Sequence, residues 1–155
     1  MPKGIPLTED EQLRRRKEIC NASVHLFLNK GFSETSMREI AQAARVGKST
    51  LYDYFPSKDH ILVWYVEEEI STLTTRMKEM AAEPHGAQAR LERMVYAYLD
   101  YLTANEDFFT RLSAQVQRLA EDSVARIQRK RHALQDVMSQ VIDEGIQEGC
   151  FRPVD

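Results

Sequence analysis

Val46-Gly47-Lys48-Ser49-Thr50-Leu51-Tyr52-Asp53-Tyr54-Phe55, with Ser36-Met37-Arg38-Glu39 upstream and Pro56-Ser57-Lys58 downstream, is the stretch that decides the fold of this chain. Ser36 and Glu39 stand three apart, the spacing of a capping box. The serine hydroxyl accepts from the third backbone N–H, and the glutamate reaches back. A short helix follows to about Ala44, with Met37, Ile40, Ala41 and Ala44 on its inner side. Arg45-Val46-Gly47 reads as a tight turn. A second short helix, Lys48 to Tyr54, ends ahead of Pro56, because proline disfavours helical geometry in the residue before it. Two short helices joined by a short glycine-containing turn form a helix-turn-helix. The second helix of such a pair fits the major groove, where base edges are distinguishable. Lys48, Ser49 and Thr50 lie at its start, where free N–H groups favour phosphate. Tyr52 and Tyr54 carry hydroxyls on rigid arms, and Leu51 and Phe55, four apart, anchor the inner face.

Outward from this pair the chain stays helical, and no alternating strand pattern appears. A helix starting near Thr8 to Glu11 carries Ile19, Ala22, Ser23, Leu26 and Phe27 on one stripe. Lys30 and Gly31 mark its stop. Ser57 caps a long helix with Leu62, Val66, Ile70, Leu73, Met77 and Met80 inward, ending near Pro84-His85-Gly86. A further helix places Leu91, Met94, Val95, Tyr98, Leu99 and Leu102 inward. After a break at Ala104-Asn105, one helix is expected through Phe108, Phe109, Leu112, Val116 and Leu119. The last runs from about Glu121 through Val124, Ile127, Leu134, Val137, Met138, Val141 and Ile142 to the Gly145/Gly149 region.

From Arg16 to Leu62 the sequence resembles the DNA-binding region of the TetR-type, ligand-responsive transcriptional regulators. The residues that carry the resemblance are Ile19, Ala22, Leu26-Phe27 and Lys30-Gly31-Phe32, then Thr35-Ser36 and Ile40-Ala41, then the run from Val46 to Lys58. The resemblance implies an all-α fold: a three-helix DNA-binding head, residues 1–56, and a helical ligand-binding bundle, residues 57–155. It implies DNA contacts at Ser36, Arg38, Lys48, Ser49, Thr50, Tyr52, Tyr54 and Lys58. Lys48 and Ser49 are best placed for base edges. Thr50, Tyr52, Tyr54 and Lys58 suit phosphates and register. It implies a homodimer on a double-stranded operator, released by a small-molecule effector. Aromatics of the second domain, Trp64, Tyr65, Tyr98, Tyr101, Phe108 and Phe109, are candidates for the effector pocket, with plain core packing as the alternative for each. The family pattern has two more helices that build the dimer interface. Residues 150–155 fall about where they would begin, so the regulatory bundle is expected to be incomplete. Three residues depart from the pattern. Gly47 replaces a frequent serine cap, Ser49 a small glycine or proline, and Asp53 sets a carboxylate on the recognition helix.

Charge agrees with this polarity. The chain of 155 residues has net charge −3, yet residues 1–58 hold ten Lys/Arg against seven Asp/Glu, a local +3, and the rest is −6. A basic head on an acidic body suits a protein presenting one end to a polyanion. Arg14-Arg15-Arg16-Lys17 reads either as a DNA-contacting arm or as a solvated helix start. Arg129-Lys130-Arg131 reads as a solvated face.

Other classes find little support. The longest apolar run, Ile61 to Val66, is far short of the ~20 residues of a membrane span, and the N-terminus lacks the apolar core of a secretory signal. Cys20 and Cys150 stand alone, which fits a reducing, cytoplasmic location. His25, His60, His85 and His132 show no ligand spacing, so no metal or cofactor is expected. With no phosphate loop, nucleophile elbow or HExxH motif, an enzyme is not expected either. The rival reading is a helical protein–protein adaptor without specific DNA binding.

Overall fold

A computed structural model describes residues 6–154; Lys3, counted above in the basic head, and Asp155 lie outside them. The described residues form eight helices and no strand: α1 Glu9–Lys30, α2 Met37–Ala44, α3 Lys48–Tyr54, α4 Lys58–Ala81, α5 Ala87–Ala104, α6 Glu106–Arg111, α7 Ser113–Val116 and α8 Glu121–Gln147. The chain divides into two compact units, one up to Tyr65 and one from Val66 onward, and α4 has residues in both.

In the first unit, Thr8 caps α1. Its hydroxyl accepts from the Glu11 N–H at 3.2 Å, and the Glu11 carboxylate accepts from the Thr8 N–H at 2.8 Å. Gly31, at φ 105°, closes the helix. Ile19, Cys20, Val24 and Phe27 of α1 are buried, as are Ile40, Leu51, Phe55, Ile61 and Leu62 from the elements that follow. Burying such side chains contributes about 1.5–3 kcal/mol each, so helices as short as α2 and α3 are held by packing rather than by propensity.

The core of the second unit is built from Leu73 and Met77 of α4, Ala87, Met94 and Ala97 of α5, and Leu134, Val137 and Val141 of α8. Arg90, only 7% exposed, joins it. Its Nη1 donates to the Ala81 carbonyl at the end of α4, and its Nη2 to Glu144 Oε2 on α8, both at 2.7 Å. Nearer the start of α4 the contact with α8 is polar. Arg126 grips Glu67 with two bonds, at 3.1 and 2.8 Å, and Lys130 Nζ donates to Ser71 Oγ at 2.8 Å.

Two expectations change. The single helix through Phe108–Leu119 is two short ones, parted at Leu112 (φ −114°, ψ −14°). Ser113 Oγ donates to the Phe109 carbonyl there, a local bond that competes with the helical ladder. Val95 and Leu99, expected inward, are 41% and 51% exposed, and Tyr96 beside them is 62% exposed. The buried stripe of α5 is Ala87, Arg90, Met94 and Ala97, one row over from the most apolar one. The expected stop of α8 in the Gly145/Gly149 region holds: the helix passes through Gly145 and ends at Gln147, with Gly149 taking the left-handed conformation at φ 80°. Gly145 is buried under the Phe151 ring, where a Cβ would lie 2.1 Å from a ring carbon. Among the described residues no helix is long and apolar enough to cross a membrane, and no group of three or more His, Cys, Asp or Glu is placed to hold a metal ion.

Candidate nucleic-acid interface

The capping box read from the sequence positions α2. The Ser36 hydroxyl accepts from the Glu39 N–H at 3.2 Å, and Glu39 Oε2 accepts from the Ser36 N–H at 2.8 Å. The Lys30 ammonium bonds the other Glu39 oxygen and so ties the end of α1 to the start of α2. That bond, with the Ser36 backbone bond next in weight, holds the Glu39 carboxyl down at about 2. Ile40 and Ala41 are buried, while Ser36 and Arg38 face solvent.

Leu51 and Phe55 carry α3, at 0% and 1% exposure. With that side buried, the opposite side of the helix is turned outward. Lys48, Ser49, Tyr52 and Asp53 are exposed; Thr50 and Tyr54 are half-buried. Gly47 starts the helix without any side-chain cap, as its replacement of serine implies.

Two cations brace this face. Lys58 Nζ donates to the Phe32 carbonyl at 2.7 Å and lies 4.7 Å from the Phe32 ring centre. One of its three donors is thereby used and two remain. The Arg16 guanidinium sits 5.9 Å from the Tyr54 ring centre and 5.3 Å from that of Phe55, within range of cation–π attraction. Arg16 was visible beforehand only as part of a basic run, since nothing local announces which rings a helix packs across. Ser57 caps α4, its hydroxyl accepting from the His60 N–H at 3.4 Å and bonding His60 Nδ1 at 2.8 Å.

The six aromatics expected around an effector are divided between the two units. In the first unit the Trp64 ring stands edge-on to Phe55 at 6.0 Å, and Tyr65 is half-buried. In the second unit Tyr98, Tyr101, Phe108 and Phe109 form one cluster: Tyr98–Tyr101 at 6.5 Å, Tyr101–Phe109 at 6.1 Å and Phe108–Phe109 at 5.6 Å, the last two edge-to-face. Burial, then the nearby Glu69 carboxylate, push the Tyr101 hydroxyl up to about 12. Burial likewise raises the Glu69 carboxyl, with Glu68 adding to it. A surface groove of about 450 Å³ lies elsewhere, between Leu91, Val95 and Tyr96 of α5 and Phe151, and none of the six lines it.

Residues 19–63 match the family model described as bacterial regulatory proteins, tetR family, and residues 84–155 match the one described as tetracyclin repressor-like, C-terminal domain. Among curated proteins, the HTH-type transcriptional repressor KstR of Rhodococcus jostii (strain RHA1) is 39% identical over 88 residues, 57% of this chain and 39% of that protein. The uncharacterized HTH-type transcriptional regulator YhgD of Bacillus subtilis (strain 168) is 26% identical over 148 residues, 91% of this chain and 74% of that one. The chain therefore spans well under half the length of the first relative and about three quarters of the second. Among solved structures, the TetR family regulator PfmR from Thermus thermophilus aligns with a TM-score of 0.76 and 25% identity, covering 88% of this chain and 75% of that one. FadR from Bacillus subtilis, solved with stearoyl-CoA, aligns at a TM-score of 0.75 and 22% identity, covering 90% and 75%.

Proposed function

Because this chain belongs to the TetR family of bacterial regulatory proteins, we propose that it is a sequence-specific DNA-binding transcriptional regulator, a repressor that a small-molecule effector releases from its operator. The observation that carries this reading is α3: Leu51 and Phe55 lock it from behind, while Lys48, Ser49 and Tyr52 stand exposed in front. In this reading Lys48 and Ser49 meet base edges. Ser36 and Arg38 contact DNA from the start of α2, and Thr50, Tyr52, Tyr54 and Lys58 hold phosphates and fix the register. Kinship with HTH-type repressors favours this over the adaptor reading. The domains divide at residues 56 and 57, and two copies bind together, their recognition helices about 34–36 Å apart to meet successive major grooves.

The effector acts through its differential affinity for the DNA-binding and released states. The aromatic cluster of Tyr98, Tyr101, Phe108 and Phe109 supports an effector with an apolar portion. Trp64 and Tyr65 remain proposed lining residues. Stearoyl-CoA, found with the Bacillus subtilis FadR, is a practical first probe. The protein works in the cytoplasm on the cell's own DNA and catalyses no reaction.

The test is fluorescence anisotropy of the protein with fragments of its own upstream DNA at two salt concentrations, beside Tyr52→Ala and Lys58→Ala. One fragment binds far more tightly than scrambled DNA, and both variants lose affinity while keeping wild-type circular dichroism. Losing a phosphate contact reduces the salt slope by about 1; losing a base contact costs about 1–3 kcal/mol and relaxes one position. Equal, weak binding of all fragments by wild type defeats the reading.

A further inference from the structure

Among the described residues three take a positive φ, and two of them are glycines: Gly31 at 105° after α1 and Gly149 at 80° after α8. The third is Arg45, at φ 56° and ψ 41°, closing α2. The turn demands this geometry. The Val46 N–H donates back to the Ala41 carbonyl at 3.0 Å, and the Arg45 N–H to the Gln42 carbonyl at 3.2 Å. The first is the six-to-one bond of a Schellman closure, which reverses the chain through one left-handed residue. Glycine fills that place without strain. A residue with a Cβ brings it too close to the following carbonyl oxygen. The chain uses glycine where α1 and α8 close, and arginine where the helix-turn-helix turns.

Nothing inside the fold compensates for that choice. Arg45 is exposed, and among the described residues no hydrogen bond, ion pair or ring contact engages its guanidinium. The nearest acidic group upstream, Glu39, is committed to Ser36 and Lys30. A strained residue that stabilises nothing in its own fold points to function outside it.

We propose that Arg45 is a DNA-phosphate contact: its guanidinium, presented from the turn three residues ahead of Lys48, takes a backbone phosphate beside the groove that α3 enters. The proposal rests on the DNA-binding reading above and adds a residue to it. Guanidinium suits the task. It is always charged, and its planar fork of donors matches two phosphate oxygens at once. A contact of this kind strengthens binding to any sequence and sets register rather than choosing bases.

The inference gives Arg45→Gly opposite effects on stability and on binding. Relief of the left-handed strain raises the melting temperature by about 2–4 °C. Loss of one phosphate contact makes the slope of log affinity against log salt shallower by about 0.9. Affinity falls by the same factor for the tightest upstream fragment and for scrambled DNA. Arg45→Asn, a residue tolerated in this conformation, removes the charge without the added flexibility of glycine and changes the slope equally. Arg45→Lys keeps the wild-type slope. Both measurements use the full chain, with melting followed by circular dichroism and binding by anisotropy over a salt series. An unchanged slope in Arg45→Gly and Arg45→Asn overturns the proposal whatever happens to stability. If wild type shows neither salt dependence nor fragment preference, the DNA-binding reading itself has failed, a result separable from the loss of Arg45 alone.

Discussion

Replacing Arg90 by methionine tests whether the charged clamp in the second unit contributes net stability. The guanidinium makes two bonds, to the Ala81 carbonyl and to Glu144 Oε2, each at 2.7 Å. Bonds from a charged donor are worth about 1.5–3 kcal/mol each, so the pair represents about 4 kcal/mol. Against this stands the Arg90 Nε, buried with no acceptor among the described residues. Removing an orphaned buried donor recovers about 1–3 kcal/mol. Methionine keeps most of the apolar stem. The expected net loss for Arg90→Met is therefore about 2 kcal/mol, which in a chain of this size lowers the melting temperature by about 4–8 °C. Arg90→Ala also empties the stem's space and loses about 4 kcal/mol. Glu144→Gln loses less than either, because the Glu144 side chain is 36% exposed and water replaces part of the bond. Thermal unfolding by circular dichroism at neutral pH gives the order. Arg90→Met melting at or above wild type refutes the reasoning, since the orphaned Nε would then outweigh both bonds.

Further outcomes follow from the same geometry. Ser36→Ala removes the cap of α2 and costs about 1 kcal/mol in a denaturant titration. Leu51→Ala, beneath α3 at 0% exposure, costs about 3 kcal/mol, and its DNA binding falls only as far as folding does. The Glu39 carboxyl is depressed from 4.5 to about 2, so its contribution is complete above about pH 4.5 and is lost as pH falls toward 2; Glu39→Gln flattens that part of the stability–pH curve. The Tyr101 hydroxyl is raised from 10 to about 12, so its contribution holds below pH 10 and is lost as pH rises toward 12. Ultraviolet titration of wild type against Tyr101→Phe reads this as one tyrosine ionising late.

Legibility in the sequence tracked how local the signal was. The Ser36/Glu39 box, the Gly31 stop, the Pro56 break and the Ser57 cap act within a few residues, and each marks a boundary the structure keeps. The second unit depended on tertiary choices. Two adjacent rows of α5 carry helical periodicity. Beside the expected Met94, the row that is buried holds Ala87, Arg90 and Ala97, small or charged residues that a search for large apolar ones passes over. The break at Leu112 has no glycine or proline to announce it. The Ser113 hydroxyl bonds the Phe109 carbonyl there, but Thr74 and Thr75 make the same kind of bond inside the unbroken α4. The Gly145/Gly149 region was readable as the end of α8, but the burial of Gly145 was not, because the Phe151 ring over it packs from beyond the end of the helix. At the interface, the exposed residues of α3 were readable from the positions of Leu51 and Phe55. The Arg16 contact was not, because it joins side chains nearly forty positions apart. The left-handed Arg45 was hidden by its own identity, since a turn that favours glycine gives no warning when arginine fills it.

The contact between α4 and α8 changes character along its length, from Arg126–Glu67 and Lys130–Ser71 to Leu73, Met77, Val137 and Val141. Different solution conditions therefore loosen different halves. Added salt screens the partly exposed charges and leaves the apolar half gripped. Cooling weakens the apolar half and leaves the charges paired. For the proposed DNA-binding regulator, rising ionic strength would then act in two places, on the contact with nucleic acid and inside the second unit. Arg126→Ala separates them, because it weakens the internal response to salt and leaves the proposed phosphate contacts in place.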